Sequence, residues 1–269
     1  MTYFAEVAGS RDLLINLTLR ELRGKYKRSV LGWGWSLINP LATMAIFTVV
    51  FSVLLKSNPA AGDPSGLDVF ALFLLCGLLP WNYLSNSMTG GMYSLVGNAN
   101  LIKKVYFPRE VLVAANVASW LFSFLIEMAV LWVALIAFGN MVIPWIPAVL
   151  VLMLIQTAFV LGIALMLSVL NVYFRDTQHL IGIVLQVWFY GTPIIYPLSL
   201  VQQHISGWLY TLYEANPMAQ FAQAYRNLMY DLRWPTAGNI TYVVLVSAAT
   251  LVAGALVFRR FEGRLAEEL

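Results

Sequence analysis

Long apolar blocks alternate with short polar segments along the chain. The blocks cover residues 37–55, 70–92, 111–138, 145–170, 180–196 and 240–258. About 20 apolar residues cross a bilayer as a helix, and only helices and closed barrels satisfy their backbone groups inside it. Barrel strands alternate apolar and polar residues, and these blocks do not. The pattern therefore predicts an all-α membrane protein with six transmembrane helices, of which the fifth is interrupted by Pro193 and Pro197.

The composition supports a membrane protein. Of 269 residues, 60% are apolar and 11% are charged, and the mean hydropathy is +0.76. Soluble domains carry about 25% charged residues. The length leaves room for one membrane domain with short loops and excludes an additional soluble domain of ordinary size. The single cysteine, Cys76, excludes an intrachain disulfide.

The basic residues are distributed unevenly between the two sides of the predicted topology. Only Lys56, Arg226 and Arg233 of the 16 Lys and Arg residues fall on one side, and the other 13 fall on the side of the two termini. Basic residues are retained in the cytoplasm, so both termini are predicted to be cytoplasmic. The pI near 9.0 is then explained by membrane topology, and no nucleic-acid partner is expected.

The N-terminal arm, residues 1–32, is predicted to form a cytoplasmic amphipathic helix at the membrane interface. Ile15, Leu19, Leu22 and Tyr26 share one stripe, and basic residues occupy another. Such a helix lies in the interface and attracts anionic lipid. Two functions remain open from the arm alone: an anchor that sets topology, or a cationic platform for a phosphate-bearing lipid.

Two further segments are predicted to be short helices outside the spans. In the loop at 98–111, Asn98 or Asn100 can cap a helix, and Pro108 either ends that helix or opens the next span. That helix is either a lever for a partner protein or a charged connector. On the other side, Asn216–Pro217 is a favourable helix start within an aromatic-rich segment at 198–235. This segment is predicted to form re-entrant or surface helices near an exit.

Candidate chemistry is sparse. The sequence has no Walker phosphate loop, CxxC, HExxH or GxSxG motif. Glu127 is an acid within the third block, and either structural pairing or substrate contact explains it. Aromatic residues at block ends serve as interfacial anchors or as ligand contacts: Trp33, Trp35, Trp81, Tyr83, Tyr106, Trp145 and Tyr196. If such a protein transports a substrate with energy from ATP, the missing nucleotide loop implies a separate ATPase subunit.

Several segments, in order along the chain, resemble the ABC-2 type polysaccharide exporter permeases. They are LGWGWSLINPL at 31–41, LIKKVYFPRE at 101–110, LNVYFRD at 170–176, TPIIYP at 192–197, and NPMAQF at 216–221 followed by Tyr225 and Arg226. The resemblance covers nearly the whole chain. It is strongest to exporters of lipid-linked O-antigen, teichoic acid or galactan. The alternatives are an ABC-2 permease for another lipid or a drug, and a membrane-embedded glycosyl- or acyltransferase.

The resemblance implies a homodimeric permease in the bacterial plasma (inner) membrane, paired with two copies of an ABC ATPase. That partner would bind ATP and Mg, and this chain would need no cofactor or metal and have no catalytic residue. The cargo would be a polysaccharide on a polyprenyl diphosphate. Residues 33–258 would form the ABC-2 type transmembrane domain, and residues 259–269 a cytoplasmic tail. The segment at 198–230 would correspond to external gate helices.

The resemblance and the residue chemistry together give three groups of candidate site residues. ATPase coupling is assigned to Asn98, Leu101, Lys103, Lys104, Tyr106, Phe107, Arg109, Arg175 and Asp176. A cationic entrance for the lipid diphosphate is assigned to Arg20, Arg23, Lys25, Lys27 and Arg28. Glycan contacts in the pore or gate are assigned to Trp33, Trp35, Trp81, Tyr83, Tyr196, Phe221, Tyr225 and Glu127, because aromatic rings bind sugars weakly enough to release them.

Overall fold

The structure is a computed structural model that describes residues 11–25, 27, 34–50, 61–196 and 207–269. Within these ranges the chain forms helices and turns and no β-strand. Predictions for Tyr26, Arg28, Trp33 and Lys56, for the end of the first block at 51–55 and for the segment at 197–206 fall outside the described residues.

The α-helices are numbered in chain order. They are α1 (Arg11–Lys25), α2 (Trp35–Phe47), α3 (Phe70–Tyr93), α4 (Ala99–Lys104), α5 (Glu110–Ala137), α6 (Ile146–Tyr173), α7 (Thr177–Tyr190), α8 (Trp208–Glu214), α9 (Pro217–Arg226), α10 (Ala237–Phe261) and α11 (Leu265–Glu268). A π-helical turn, Asn227–Asp231, continues α9. Three segments are long and apolar enough to cross a membrane: Glu110–Ala137, Ile143–Tyr173 and Ala237–Arg264. The chain is therefore an all-α protein embedded in a membrane.

Most predicted blocks coincide with helices, and the fifth differs. α7 has 14 residues and ends at Tyr190, before Pro193, whereas the apolar block extends to 196. Gly191 begins a turn that reverses the chain, and Thr192 stabilises it by donating its hydroxyl hydrogen to the Trp188 carbonyl oxygen at 2.7 Å. The proline therefore follows the helix instead of interrupting it.

The loops assemble into two groups at opposite ends of the helices. At one end, here called the basic end, Tyr93 donates to Gln178 at 2.9 Å, and the Tyr173 and Phe261 rings lie 5.6 Å apart. At the other end, called the far end, the rings of Trp145 and Trp234 lie 5.2 Å apart. Successive long helices thus run in alternating directions, and the loops are grouped as the sequence predicts.

α3 lies at the centre of the subunit and packs against α5, α6 and α9. Gln156 of α6 connects three helices, because its amide donates to the Pro80 carbonyl oxygen at 2.8 Å and its oxygen accepts from the Tyr225 hydroxyl at 2.9 Å. All three of these polar groups lie away from water. Their mutual hydrogen bonds remove a cost of about 1–3 kcal/mol for each unsatisfied group.

Two glycines bring α6 and α10 into close contact. A Cβ atom on Gly254 would collide with the carbonyl oxygen of Gly162, and a Cβ on Gly162 would collide with the Thr250 carbonyl oxygen. The obstructing atoms belong to backbones, so a side-chain rotation cannot relieve the collision. Small residues at this contact let the helices approach closely, as in other membrane helix pairs.

We expect Gly254→Ala to lower the stability of the folded subunit by about 1–3 kcal/mol, because the two helices must separate to accommodate the new methyl group. Thermal unfolding of the purified protein in detergent measures the effect. Gly238→Ala is the matched control, since a Cβ at Gly238 meets no atom within 4 Å. Equal unfolding temperatures for the two variants would contradict the proposed packing.

Candidate functional site

The basic end presents α4 as a short exposed helix between α3 and α5. Lys103 and Lys104 are exposed, Val105 is 53% exposed and Tyr106 is 97% exposed. Leu101 and Phe107 are half-buried and face the core. A shallow cavity of about 210 Å³ lies beside residues 102–107 and Arg109. Exposed aromatic and aliphatic groups next to lysines are a suitable surface for another protein.

Hydrogen bonds connect the residues on either side of α4 to the helices α1 and α10. Arg20 of α1 donates to the Asn98 side-chain oxygen at 2.8 Å, and Asn98 donates to the Ser94 carbonyl oxygen. Asn98 directly precedes α4, but its side chain makes no helix-capping bond, because Arg20 occupies the oxygen that capping requires. Arg109 donates to the Glu262 carbonyl oxygen at the end of α10. These bonds join the residue before α4 to α1, and the start of α5 to the end of α10.

Arg175 and Asp176 lie in the tight turn between α6 and α7, at the same end as α4. Both are exposed, and Phe174 beside them is 67% exposed. The turn leads directly into α7, so this segment forms the start of α7 instead of a separate short helix. A partner that contacts Arg175 would act on α7 without an intermediate connector.

The basic residues of the arm have different surroundings. Arg20, Arg23 and Lys27 are exposed. Lys25 instead points to α5, where its ammonium group donates to the Ser119 carbonyl oxygen at 3.0 Å and to the Ser123 hydroxyl at 3.1 Å. The ammonium also lies 3.4 Å from the Trp120 ring centroid. Burial lowers the pKa of Lys25 to about 7, and the charge of Glu127 opposes this shift.

These contacts identify an electrostatic partner for Glu127, which sequence alone did not name. The opposite charges of Glu127 and Lys25 attract each other across the α1–α5 contact, without an ion pair within 4 Å between them among the described residues. Lys25 is the only basic residue of the described arm with bonds of this kind to α5. The contact fixes the end of α1 against a membrane helix, so Lys25 has a structural role in addition to the assigned entrance role.

The aromatic gate candidates differ sharply in exposure. Trp35 is 41% exposed. Trp81, Tyr83, Phe221 and Tyr225 are buried inside the subunit, each at 5% exposure or less. Tyr83 stacks on Phe124 with ring centroids 4.8 Å apart and donates to Thr157 at 3.0 Å. The four buried rings therefore pack α3 and α9 against α5, α6 and α7 in this conformation.

The predicted start of α9 is confirmed. The side-chain oxygen of Asn216 accepts from the Met218 amide at 3.0 Å, and Pro217 occupies the first helical position. Asn216 also accepts from the Trp188 indole at 2.8 Å, and it donates to Gly191 and Thr192. One side chain thus starts α9 and attaches it to the end of α7. Tyr196 is part of the same junction, because Tyr213 donates to its hydroxyl at 3.2 Å.

Arg226 stabilises the same junction from inside the protein. Its side chain is 2% exposed and donates to the carbonyl oxygens of Pro193, Ile194 (2.7 Å) and Phe73 (3.4 Å). The guanidinium lies 3.8 Å from the Phe73 ring centroid. A guanidinium can satisfy several carbonyl oxygens at once. Arg226 therefore joins α9, α3 and the turn after α7 at the far end. The sequence placed Arg226 on one side of the membrane and in a segment shared with the family, but it did not reveal these partners.

A groove between α3 and α7 has a polar lining that sequence analysis missed. Its volume is about 500 Å³. It is lined by Asn82, Ser85 and Thr89 of α3, by Gly182, Gln186, Phe189 and Tyr190 of α7, and by parts of Leu78, Trp81 and Leu185. The spacing of Asn82, Ser85 and Thr89, at i, i+3 and i+7 in an apolar block, was a signal that could have found it. Uncharged polar groups at membrane depth line cavities or contact protein.

Comparison with known proteins agrees with this architecture. A profile of the ABC-2 type transporter family matches residues 12–230. The chain is 32% identical over 259 residues to the O-antigen export system permease protein RfbA of Myxococcus xanthus, covering 96% of each chain. It is 29% identical to the RfbA protein of Klebsiella pneumoniae over 264 residues, covering 96% of this chain and 95% of the relative.

A more distant relative carries a different polysaccharide. The polysialic acid transport protein KpsM of Escherichia coli is 22% identical over 256 residues, covering 91% of this chain and 92% of the relative. The shared feature of these relatives is polysaccharide transport. The chain belongs to the ABC-2 type transporter family, and it is a membrane-embedded transport subunit, the permease of a polysaccharide ABC exporter.

Proposed function

We propose that this permease crosses the bacterial inner membrane six times, works as a homodimer with two ATPase subunits, and exports a polysaccharide carried on a polyprenyl diphosphate. The cargo is an O-antigen-type glycan, because the most similar relatives reported above are named for O-antigen export. ATP and Mg are bound by the ATPase partner. Both termini and the basic end face the cytoplasm, in agreement with the distribution of Lys and Arg.

The groove between α3 and α7 is the structural feature that most supports the proposal of glycan passage. Its carboxamide and hydroxyl groups can exchange hydrogen bonds with sugar hydroxyls, and Tyr190 and Phe189 offer ring faces to sugar C–H groups. The groove residues carry no formal charge. Contacts of this kind hold a repeating glycan weakly at many positions, which permits movement.

The exposed surface of α7 supports a dimer. Leu180, Ile183, Val184 and Val187 are between 51% and 67% exposed, although α7 lies directly beside the polar groove. Gln186, on the same helix, is also exposed. A carboxamide in contact with lipid chains is costly, so this helix is better placed against a second subunit than against lipid. Two grooves that face each other across the dimer would form one path.

In this proposal the ATPase acts on the basic end. The partner contacts Lys103 and Lys104 of α4, Tyr106 after it, and the Arg175–Asp176 turn, while Arg109 connects the start of α5 to the end of α10. The exposed Arg20, Arg23 and Lys27 bind the diphosphate at the start of the path. The two helices α8 and α9 serve as the gate at the far end, where Asn216 and Arg226 attach them to α7.

The double substitution Lys103→Glu, Lys104→Glu tests the coupling surface. We expect loss of ATPase co-purification and at least a tenfold fall in export, because charge reversal opposes docking. Export is measured as surface polysaccharide, and folding as membrane yield. Arg11→Glu is the control, since Arg11 is exposed on α1 outside the proposed surface. Normal co-purification and export in the double variant would rule out this docking site.

Gln186→Leu tests the groove. We expect export to fall by about tenfold while ATPase binding persists, because the variant loses hydrogen bonds to the passing glycan but keeps a similar volume. Val252→Leu is the control, since Val252 is exposed on α10 and belongs neither to the groove lining nor to the α7 surface proposed for the dimer. The proposal fails if Gln186→Leu exports normally, or if both variants are impaired equally.

A further inference from the structure

The far end contains a second polar cavity, separate from the groove between α3 and α7. This cavity, here called the outer pocket, has a volume of about 470 Å³ and lies between the α8–α9 segment and the start of α10. Its lining includes Tyr213, Gln220, Gln223, Asn227, Trp234 and Asn239. Four of these six residues carry carboxamides. A cavity of this size accommodates one or two sugar rings.

The carboxamides form two hydrogen-bonded pairs with unused hydrogen-bonding capacity. Asn239 donates to the Gln220 side-chain oxygen at 2.6 Å, and Gln223 donates to the Asn227 side-chain oxygen at 2.9 Å. Asn239 is only 8% exposed, and its own side-chain oxygen has no partner among the described residues. A buried acceptor without a partner is costly unless a ligand or water completes it. A sugar hydroxyl can supply that hydrogen bond.

Trp234 adds an aromatic surface to the pocket. Its side chain is 67% exposed, and its ring is fixed at 5.2 Å from the Trp145 ring, with an angle of 59° between the planes. Trp234 also lines an adjacent apolar cavity formed with residues of α6 and α10. One indole therefore marks the boundary between an apolar, membrane-facing region and the polar pocket. An exposed ring held in place by a neighbour can stack on the C–H face of a sugar.

The charges near the pocket oppose anionic ligands. Arg233 is the only basic residue in its lining, and it is paired with Asp231 at 3.2 Å and more loosely with Asp63 at 3.9 Å. Glu214 also lines the pocket, so the surrounding charge is net negative. Phosphate or carboxylate groups would be repelled there. The pocket chemistry thus suits uncharged sugars.

We propose that the outer pocket binds an uncharged sugar residue of the exported polysaccharide as it leaves the permease. This inference rests on the proposed orientation, in which the far end faces outward. The carboxamides bind sugar hydroxyls, Trp234 stacks on the ring face, and the acidic surroundings exclude the lipid diphosphate. A site of this kind holds the emerging chain next to the membrane surface and opposes its return.

The test uses the full permease with its ATPase partner in lipid nanodiscs. Saturation-transfer NMR titrations measure binding of maltotriose and N-acetylchitotriose as neutral probes, and of glucose 6-phosphate as an anionic probe. We expect Trp234→Ala and Gln223→Leu each to weaken neutral-sugar binding about three- to tenfold. Trp208→Ala should leave it unchanged, since Trp208 is 73% exposed in α8 and does not line the pocket. Glu214→Gln should improve binding of the anionic probe.

Three results would overturn the inference: no binding of either neutral probe, unchanged binding in both pocket variants, or tighter binding of glucose 6-phosphate than of the neutral probes. Export assays on the same preparations separate this failure from failure of the proposed function. If the wild-type complex exports its polysaccharide but binds no neutral sugar at the pocket, only the outer-pocket inference is wrong. If no ATPase accompanies the chain and no export occurs, the proposed function itself is wrong.

Discussion

Polar groups inside a bilayer must find hydrogen-bond partners within the protein, and this constraint organises the whole subunit. Gln156 forms hydrogen bonds with both the Pro80 carbonyl oxygen and the Tyr225 hydroxyl, and the Tyr83 hydroxyl donates to Thr157. These groups are structural, because their capacity is used internally. Asn82, Ser85 and Gln186 lie at comparable depth but line an open groove. Residues whose hydrogen bonds are made within the protein hold the subunit together, whereas residues that line the open groove are available to a moving glycan.

The same constraint explains how the two ends are connected. At the far end, Arg226 is buried and bound to backbone carbonyl oxygens of α3 and of the turn after α7, so α9 is firmly attached there. At the basic end, Arg20 of α1 binds Asn98 directly before α4, and Arg109 joins the start of α5 to the end of α10. Movement of α4 by a partner would thus be carried along long helices, since the ends are joined by specific hydrogen bonds and not only by flexible loops.

The sequence predicted the helices well because apolar length and turn chemistry are local properties. The start of α9 at Asn216–Pro217 and the start of α5 after Pro108 follow the expected rules. Helix orientation was harder to predict. In uniformly apolar helices no periodicity marks the buried face, so Tyr83 of α3 could not be distinguished from an exposed ring. The roles of Lys25 and Arg226 depend on partners more than 30 residues away, which local patterns do not contain.

The central claim is that the groove between α3 and α7 is a water-accessible path for the glycan. Single cysteines at Ser85, Gln186 and Val252 test it in the complex reconstituted in nanodiscs, because the native Cys76 is buried and a water-soluble maleimide reacts only with accessible thiols. Val252 is 58% exposed on α10, on an apolar surface. The account predicts rapid labelling at residues 85 and 186 and little at residue 252. Protection of both groove positions, or labelling at residue 252 equal to theirs, would contradict it.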